Sequence, residues 1–169
     1  MRTYPSHYDL LSRTQQANNL QGKVHTYEKG VADFNGQLTL AISNSFGGAN
    51  RLINDADVGK SIDLPEIHHG KSLVHYDNVE MIDVISLDHC HNIKNERLYL
   101  KIDIEGAELP ALIGAKNLLT QNECVLQIEV SPRQQPEIKQ FLEQNNYTYL
   151  ETINRDMFFY SMTLLSTET

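Results

Sequence analysis

Leu98-Tyr-Leu-Lys-Ile-Asp-Ile-Glu-Gly-Ala-Glu108 is an apolar run that closes in three carboxylates, Asp103, Glu105 and Glu108. Leu98, Leu100, Ile102 and Ile104 share one face at the strand period of two, while Tyr99, Lys101, Asp103 and Glu105 share the other. Gly106 marks a turn. Beyond it, Leu109, Leu112, Ile113, Lys116 and Leu119 recur at helical spacing, and Pro110 falls in the first turn, where its missing N–H does no harm. The stretch therefore reads as strand, turn and helix, with acids crowded at the strand's carboxyl end. In open α/β sheets that is where ligands bind.

Working outward, Cys124 to Val130 reads as a second strand and Pro136 to Gln144 as a helix with Ile138, Phe141 and Leu142 inward. Tyr147 to Thr152 and Met157 to Met162 read as two closing strands. The order β-α-β-α-β-β predicts an α/β fold with a mainly parallel sheet, finished by an antiparallel C-terminal hairpin that turns at Asn154-Arg-Asp156. Upstream, Tyr4 to about Asn18 suits a helix with Pro5 in its first turn. Residues 23–28 and 37–42 read as strands joined by the turn Asp33-Phe-Asn-Gly36, and Glu80 to Leu87 as another. Residues 43–78 lack apolar periodicity and hold four of the nine glycines, so they read as a loop excursion from the core.

A chain of 169 residues suits a single domain, 1–169, large enough to bury a core without disulfides or structural metal. Its 14 Lys and Arg stand against 22 Asp and Glu, a net charge of −8, which argues against an electrostatic grip on nucleic acid or anionic membrane. Small molecules or proteins are the expected partners. No apolar run has the length of a membrane span and the first residues lack the apolar core of a signal peptide. Cys90 and Cys124 read as reduced thiols, Cys124 within an apolar strand, and together these features point to a cytoplasmic setting.

Asp103, Glu105 and Glu108, with Glu129 at the end of the next strand, would place acid on two neighbouring parallel strands. Such carboxylates can orient a hydroxyl, act as general base or hold a cation, because like charges sharing a site raise one pKa. Glu105 and Glu108 equally suit the positive end of the following helix. His68-His69, His75 and Asp88-His-Cys-His91 carry metal-ligand types without metal-ligand spacing, so no metal site is expected and 88–91 reads as a solvated loop. Ser45-Phe-Gly-Gly-Ala-Asn50 is not followed by an apolar helix, and reads as a flexible loop rather than a phosphate cradle.

These residues resemble the FkbM-type S-adenosylmethionine-dependent methyltransferases. The resemblance rests on Asp83-Val-Ile-Ser-Leu-Asp88, Leu100-Lys-Ile-Asp-Ile-Glu-Gly-Ala-Glu-Leu109, Ile113-Gly-Ala-Lys116 and Leu126-Gln-Ile-Glu-Val130, in that order. Val31-Ala-Asp-Phe-Asn-Gly36 is similar to the family's turn after its third strand. It implies a Rossmann-like class I methyltransferase sheet and O-methylation of a hydroxyl on a sugar or glycan-type acceptor. S-adenosylmethionine would be the cofactor, with Asp33 near its adenine and Asp103 positioning or deprotonating the hydroxyl, supported by Glu105 and Glu129. The family's first strand and glycine-rich turn have no counterpart here, so the sheet is expected to be truncated at its amino end and the isolated chain to bind the donor very weakly or not at all. A homo-oligomer or a partner chain would then complete it beside residues 98–104. The alternatives are a non-catalytic relative acting as a binding or assembly subunit, and an acidic carbohydrate- or cation-binding module.

Overall fold

The computed structural model describes residues 7–42, 50–53, 62–64, 72–74 and 78–161. The expected amino-terminal helix is α1, His7–Ala17; Pro5, assigned to its first turn, lies outside the described residues, as do His68, His69, His75 and residues 45–49. Two four-stranded sheets follow. The first joins β1 (Gly30–Val31), β2 (Gly36–Ile42), β3 (Arg51–Ile53) and β6 (Asn78–Ile85) in the order β1-β6-β2-β3, and β4 (Ile62–Leu64) pairs separately with β5 (Ser72–Val74). The described parts of 43–78 are thus three short strands. The second sheet holds β7 (Arg97–Ile102), β8 (Glu123–Glu129), β9 (Tyr147–Ile153) and β10 (Asp156–Ser161) in the order β7-β8-β10-β9.

The expectation of one mainly parallel sheet is corrected. Among the described residues, parallel pairing is confined to β1 with β6 and β7 with β8, whereas β2 with β6, β2 with β3, β8 with β10 and β9 with β10 are antiparallel. Parallel neighbours need a long crossover, and in the carboxyl half one such unit joins β7 to β8; β8 also reaches β9 through α5, but β10 returns by the short turn at 154–155 and inserts between them, antiparallel to both. The terminal hairpin forms as expected, with Asn154 at φ 58° in its turn. Residues 23–28 form no strand: Val24 and Tyr27 are exposed, and no described strand lies beside them to accept their backbone.

One face of the second sheet is covered by three helices, α3 (Glu108–Ile113), α4 (Lys116–Thr120) and α5 (Gln135–Gln144). Cys124, Leu126 and Ile128 of β8 alternate inward and meet Leu112, Leu119, Ile138 and Leu142 from the helices, with Met157 and Phe159 from β10. Tyr147 is buried beside them and donates its hydroxyl to the Leu119 carbonyl at 2.9 Å. Burial pushes the Tyr147 phenol and the Cys124 thiol up from their ordinary pKa values. Both cysteines are free, Cys124 buried and Cys90 half-buried.

The single helix expected over 109–119 is two helices broken at Gly114-Ala115. A Cβ at Gly114 would lie 2.1 Å from the Ala32 carbonyl oxygen and 3.0 Å from Asp33 Cα, so the chain between β1 and β2 rests directly on the glycine backbone. Gly114 also accepts the Asp88 N–H at 2.9 Å. Residues 88–91 are correspondingly not a loop throughout: Leu87–Cys90 forms a helical turn, α2, and the Asp88 carboxylate accepts the N–H groups of Asn117 and Leu118 at 2.9 and 2.8 Å. No side chain within α4 caps its start, and Asp88 does so from across the fold.

Candidate functional site

Register brings the acids of three strands to one edge. Ile102 of β7 pairs with Ile128 of β8, so Asp103, one residue on, comes level with Glu129; Glu129 in turn pairs with Asp156 at the start of β10. Glu129 and Asp156 are half-buried and Asp103 is exposed. One step back on the same face, Lys101 lies in register with Gln127, and Gln127 with Phe158. The period-two alternation that buries Leu126 and Ile128 thus presents Gln127 and Glu129 on the side opposite α3, α4 and α5.

Lys101 Nζ approaches Asp103 Oδ2 to 2.9 Å, both side chains being partly exposed. The Asp103 hydrogen bond comes first among the causes that hold the Lys101 ammonium above its ordinary pKa, and the charges of Asp156 and Glu129 add to it. At this exposure the pair stabilises the fold by at most about 1 kcal/mol, so its effect is to orient Asp103 rather than to hold the sheet.

Between β7 and α3 the backbone reverses through Glu105 at φ 52° and Gly106 at φ 102°. Glycine adopts such angles freely, whereas a glutamate there is uncommon, and such residues collect where a turn has a task beyond connection. Desolvation, followed by the charges of Asp103, Glu129 and Glu108, raises the Glu105 pKa against the opposing charge of Arg155. Four of the five residues named from the sequence, Asp103, Glu105, Glu108 and Glu129, therefore occupy one electrostatic neighbourhood. Asp33 does not join them: it is exposed on the bend after Ala32, its Cα beside Gly114, and it is not among the charges that act on Glu105.

Lys101, Asp156 and Arg155 belong to the same rim and were not singled out. Counting back through the hairpin turn at Asn154 would have aligned Asp156 with Glu129; nothing local marks Arg155. Among the described residues, no three His, Cys, Asp or Glu side chains converge as metal ligands. The rim is an acidic edge with one ion-paired lysine and one carboxyl of raised proton affinity, able to accept hydrogen bonds from a hydroxyl or to face a cation.

A family model described as the methyltransferase FkbM domain matches residues 3–149. Neither the curated proteins nor the solved structures compared gave a match. No described helix is long and apolar enough to cross a membrane.

Proposed function

From a match over residues 3–149 of 169, which makes the chain a member of the FkbM methyltransferase family, we propose that its acid rim is the acceptor side of an O-methyl transfer to a hydroxyl of sugar or glycan type. The observation that carries the reading is the shared edge of Asp103, Glu105 and Glu129. On it, Asp103 orients the hydroxyl and Glu105, whose proton affinity its neighbours raise, takes the hydroxyl proton; Glu129 keeps the neighbourhood negative.

The family uses S-adenosylmethionine, and three described glycines beside the sheets offer it no close backbone approach. In dinucleotide-binding α/β folds, glycines in the first strand-to-helix turn let the backbone approach the cofactor closely. Gly30 is closed by Val84 Cγ1 at 3.0 Å from a would-be Cβ, Gly36 by the Phe34 ring at 2.9 Å and Gly114 by the Ala32 carbonyl oxygen at 2.1 Å, whereas Gly22 is open but lies in the turn after α1 rather than at a strand end. Moreover, in α/β sheets such a crevice lies between diverging strands, and among the described residues β7 has a strand on one side only. The proposal therefore concerns proton handling at the acceptor.

The test is transfer of labelled methyl from millimolar S-adenosylmethionine to a panel of sugars and glycans. Transfer is expected to fall by about 10²-fold or more in Asp103→Asn and Glu105→Gln, the range for losing a proton-transferring group. Transfer that ignores both substitutions would sink the reading. That β7 has a neighbouring strand on one side only among the described residues favours a second reading, a non-catalytic binding or assembly subunit whose partner strand pairs there. Absence of transfer to any hydroxyl, together with concentration-dependent mass in light scattering, would favour it.

A further inference from the structure

The turn that carries Glu105 is tied to the turn that follows β8 by hydrogen bonds that none of the roles above requires. Glu108 is 2% exposed, and its Oε1 accepts the Gly106 N–H at 2.9 Å. The Gly106 carbonyl accepts the Gln134 side-chain amide at 3.3 Å, and Gln134 Oε1 accepts the Ser131 hydroxyl at 2.9 Å. Gly106 is thus held at both its N–H and its carbonyl, the first from α3 and the second from the segment just beyond Glu129 and Val130.

Attraction to the positive end of a helix does not account for Glu108. α3 has only six residues and so little macrodipole, and Glu108 Oε1 is engaged by the Gly106 N–H, which lies outside that helix. Glu108 is instead buried, with Oε2 lacking any partner among the described residues. An unpartnered buried carboxylate oxygen is unfavourable by itself, so its retention calls for an explanation, and the bond from Oε1 to Gly106 supplies one.

We propose that Glu108 and Gln134 are positioning residues for the rim: acting through Gly106, they lock the left-handed Glu105–Gly106 turn and so hold the Glu105 carboxyl toward Asp103 and Glu129. The inference rests on the proposed function only in giving Glu105 chemistry to perform. Besides Asp103 just after β7 and Glu129 of β8, the charged groups facing Glu105 are Glu108 of α3 and Arg155 of the β9–β10 turn. Gln134 is uncharged, so removing its side chain changes the geometry of this set without changing its charge.

The experiment is NMR on the intact chain, reading the Glu105 carboxyl titration together with amide hydrogen exchange at Gly106 and at Leu126 in the core of β8. In Gln134→Ala the Glu105 titration should move toward the ordinary glutamate value, with Gly106 exchange about tenfold faster and Leu126 unchanged, the mark of a local rather than a global opening. Glu108→Ala should do the same, and Glu108→Gln, which keeps an oxygen for the Gly106 N–H, should restore Gly106 protection. An unmoved Glu105 titration in Gln134→Ala would overturn the proposal, as would Gly106 and Leu126 exchanging faster in step. Should Glu108→Ala fail to fold, Gln134→Ala decides alone, since its side chain is only half-buried. None of these readings depends on methyl transfer, so failure here and failure of the proposed function are separable.

Discussion

The two four-stranded sheets are built from similar numbers of residues and differ in what they bury. In the β1-β6-β2-β3 sheet the described buried side chains are small, Thr39, Ala41 and Val84, with Ala32 just beyond β1, while Met81 stands 64% exposed on the central strand β6. The β7-β8-β10-β9 sheet buries Leu126, Ile128 and Phe159 completely beneath three helices. The acids lie on the second sheet. A rim of like charges opposes folding, and it is carried by the sheet whose apolar burial can offset it.

The largest expected effect breaks this contrast most directly. Phe159→Ala should destabilise the chain by about 3–5 kcal/mol, the usual range for deleting a buried aromatic, whereas Met81→Ala should stay within about 0.5 kcal/mol. Urea unfolding of the two variants checks both. Equal shifts would mean that the two sheets share the burden and that the exposure of β6 misrepresents its role.

Next comes the joint between the sheets. Gly114→Ala places a methyl 2.1 Å from the Ala32 carbonyl oxygen, where backbone rather than a pliable side chain must give way. A loss of about 1–3 kcal/mol is expected, as for other overpacked sites. Hydrogen exchange should show where it falls: amides of β1 and β6 lose protection, while those of β8 keep theirs. Uniform loss would show that the two sheets open as one unit.

That joint also shows what a sequence can and cannot disclose. The strand at Leu98 to Ile102, its acid-bearing end, α5 and the terminal hairpin follow from periodicities of two and of three to four, because each is decided by neighbours in the chain. Ile113-Gly-Ala-Lys116 was legible as a motif and not as a break, since the reason for the break is the distant Ala32 backbone. Asp88 carries the same lesson. Its carboxylate caps a helix 29 residues on, a link that no local pattern records. At the rim, Asp103 and Glu129 could be paired by strand order, whereas Glu108 looked like a helix-terminal charge and proves to be buried against Gly106. Residues 23–28 erred in the other direction: a strand-like composition forms no strand without a neighbour to pair with.

The smallest expected effect sharpens the comparison through pH. Each sheet offers a perturbed carboxyl, and the two are perturbed in opposite senses. On β6, the side-chain hydrogen bond from Gln37 and then the charge of Lys29 lower the pKa of the exposed Asp83. A lowered native pKa means that the ionised form favours folding: the contribution is present above the ordinary aspartate value of 3.8 and fades as pH falls through the native one. Glu105 is raised, so its protonated form favours folding, and the contribution present below the ordinary value of 4.5 is lost as pH rises through the native one. Asp83→Asn should therefore weaken the protein at pH 7 and become neutral in acid, whereas Glu105→Gln should gain on the parent as pH climbs from 4 to 7. Urea midpoints for both variants, each subtracted from the parent at the same pH, should slope in opposite directions. Parallel slopes would mean that the rim carboxyl is no more burdened by its neighbours than an acid on the first sheet, and the electrostatic distinction between the sheets would disappear.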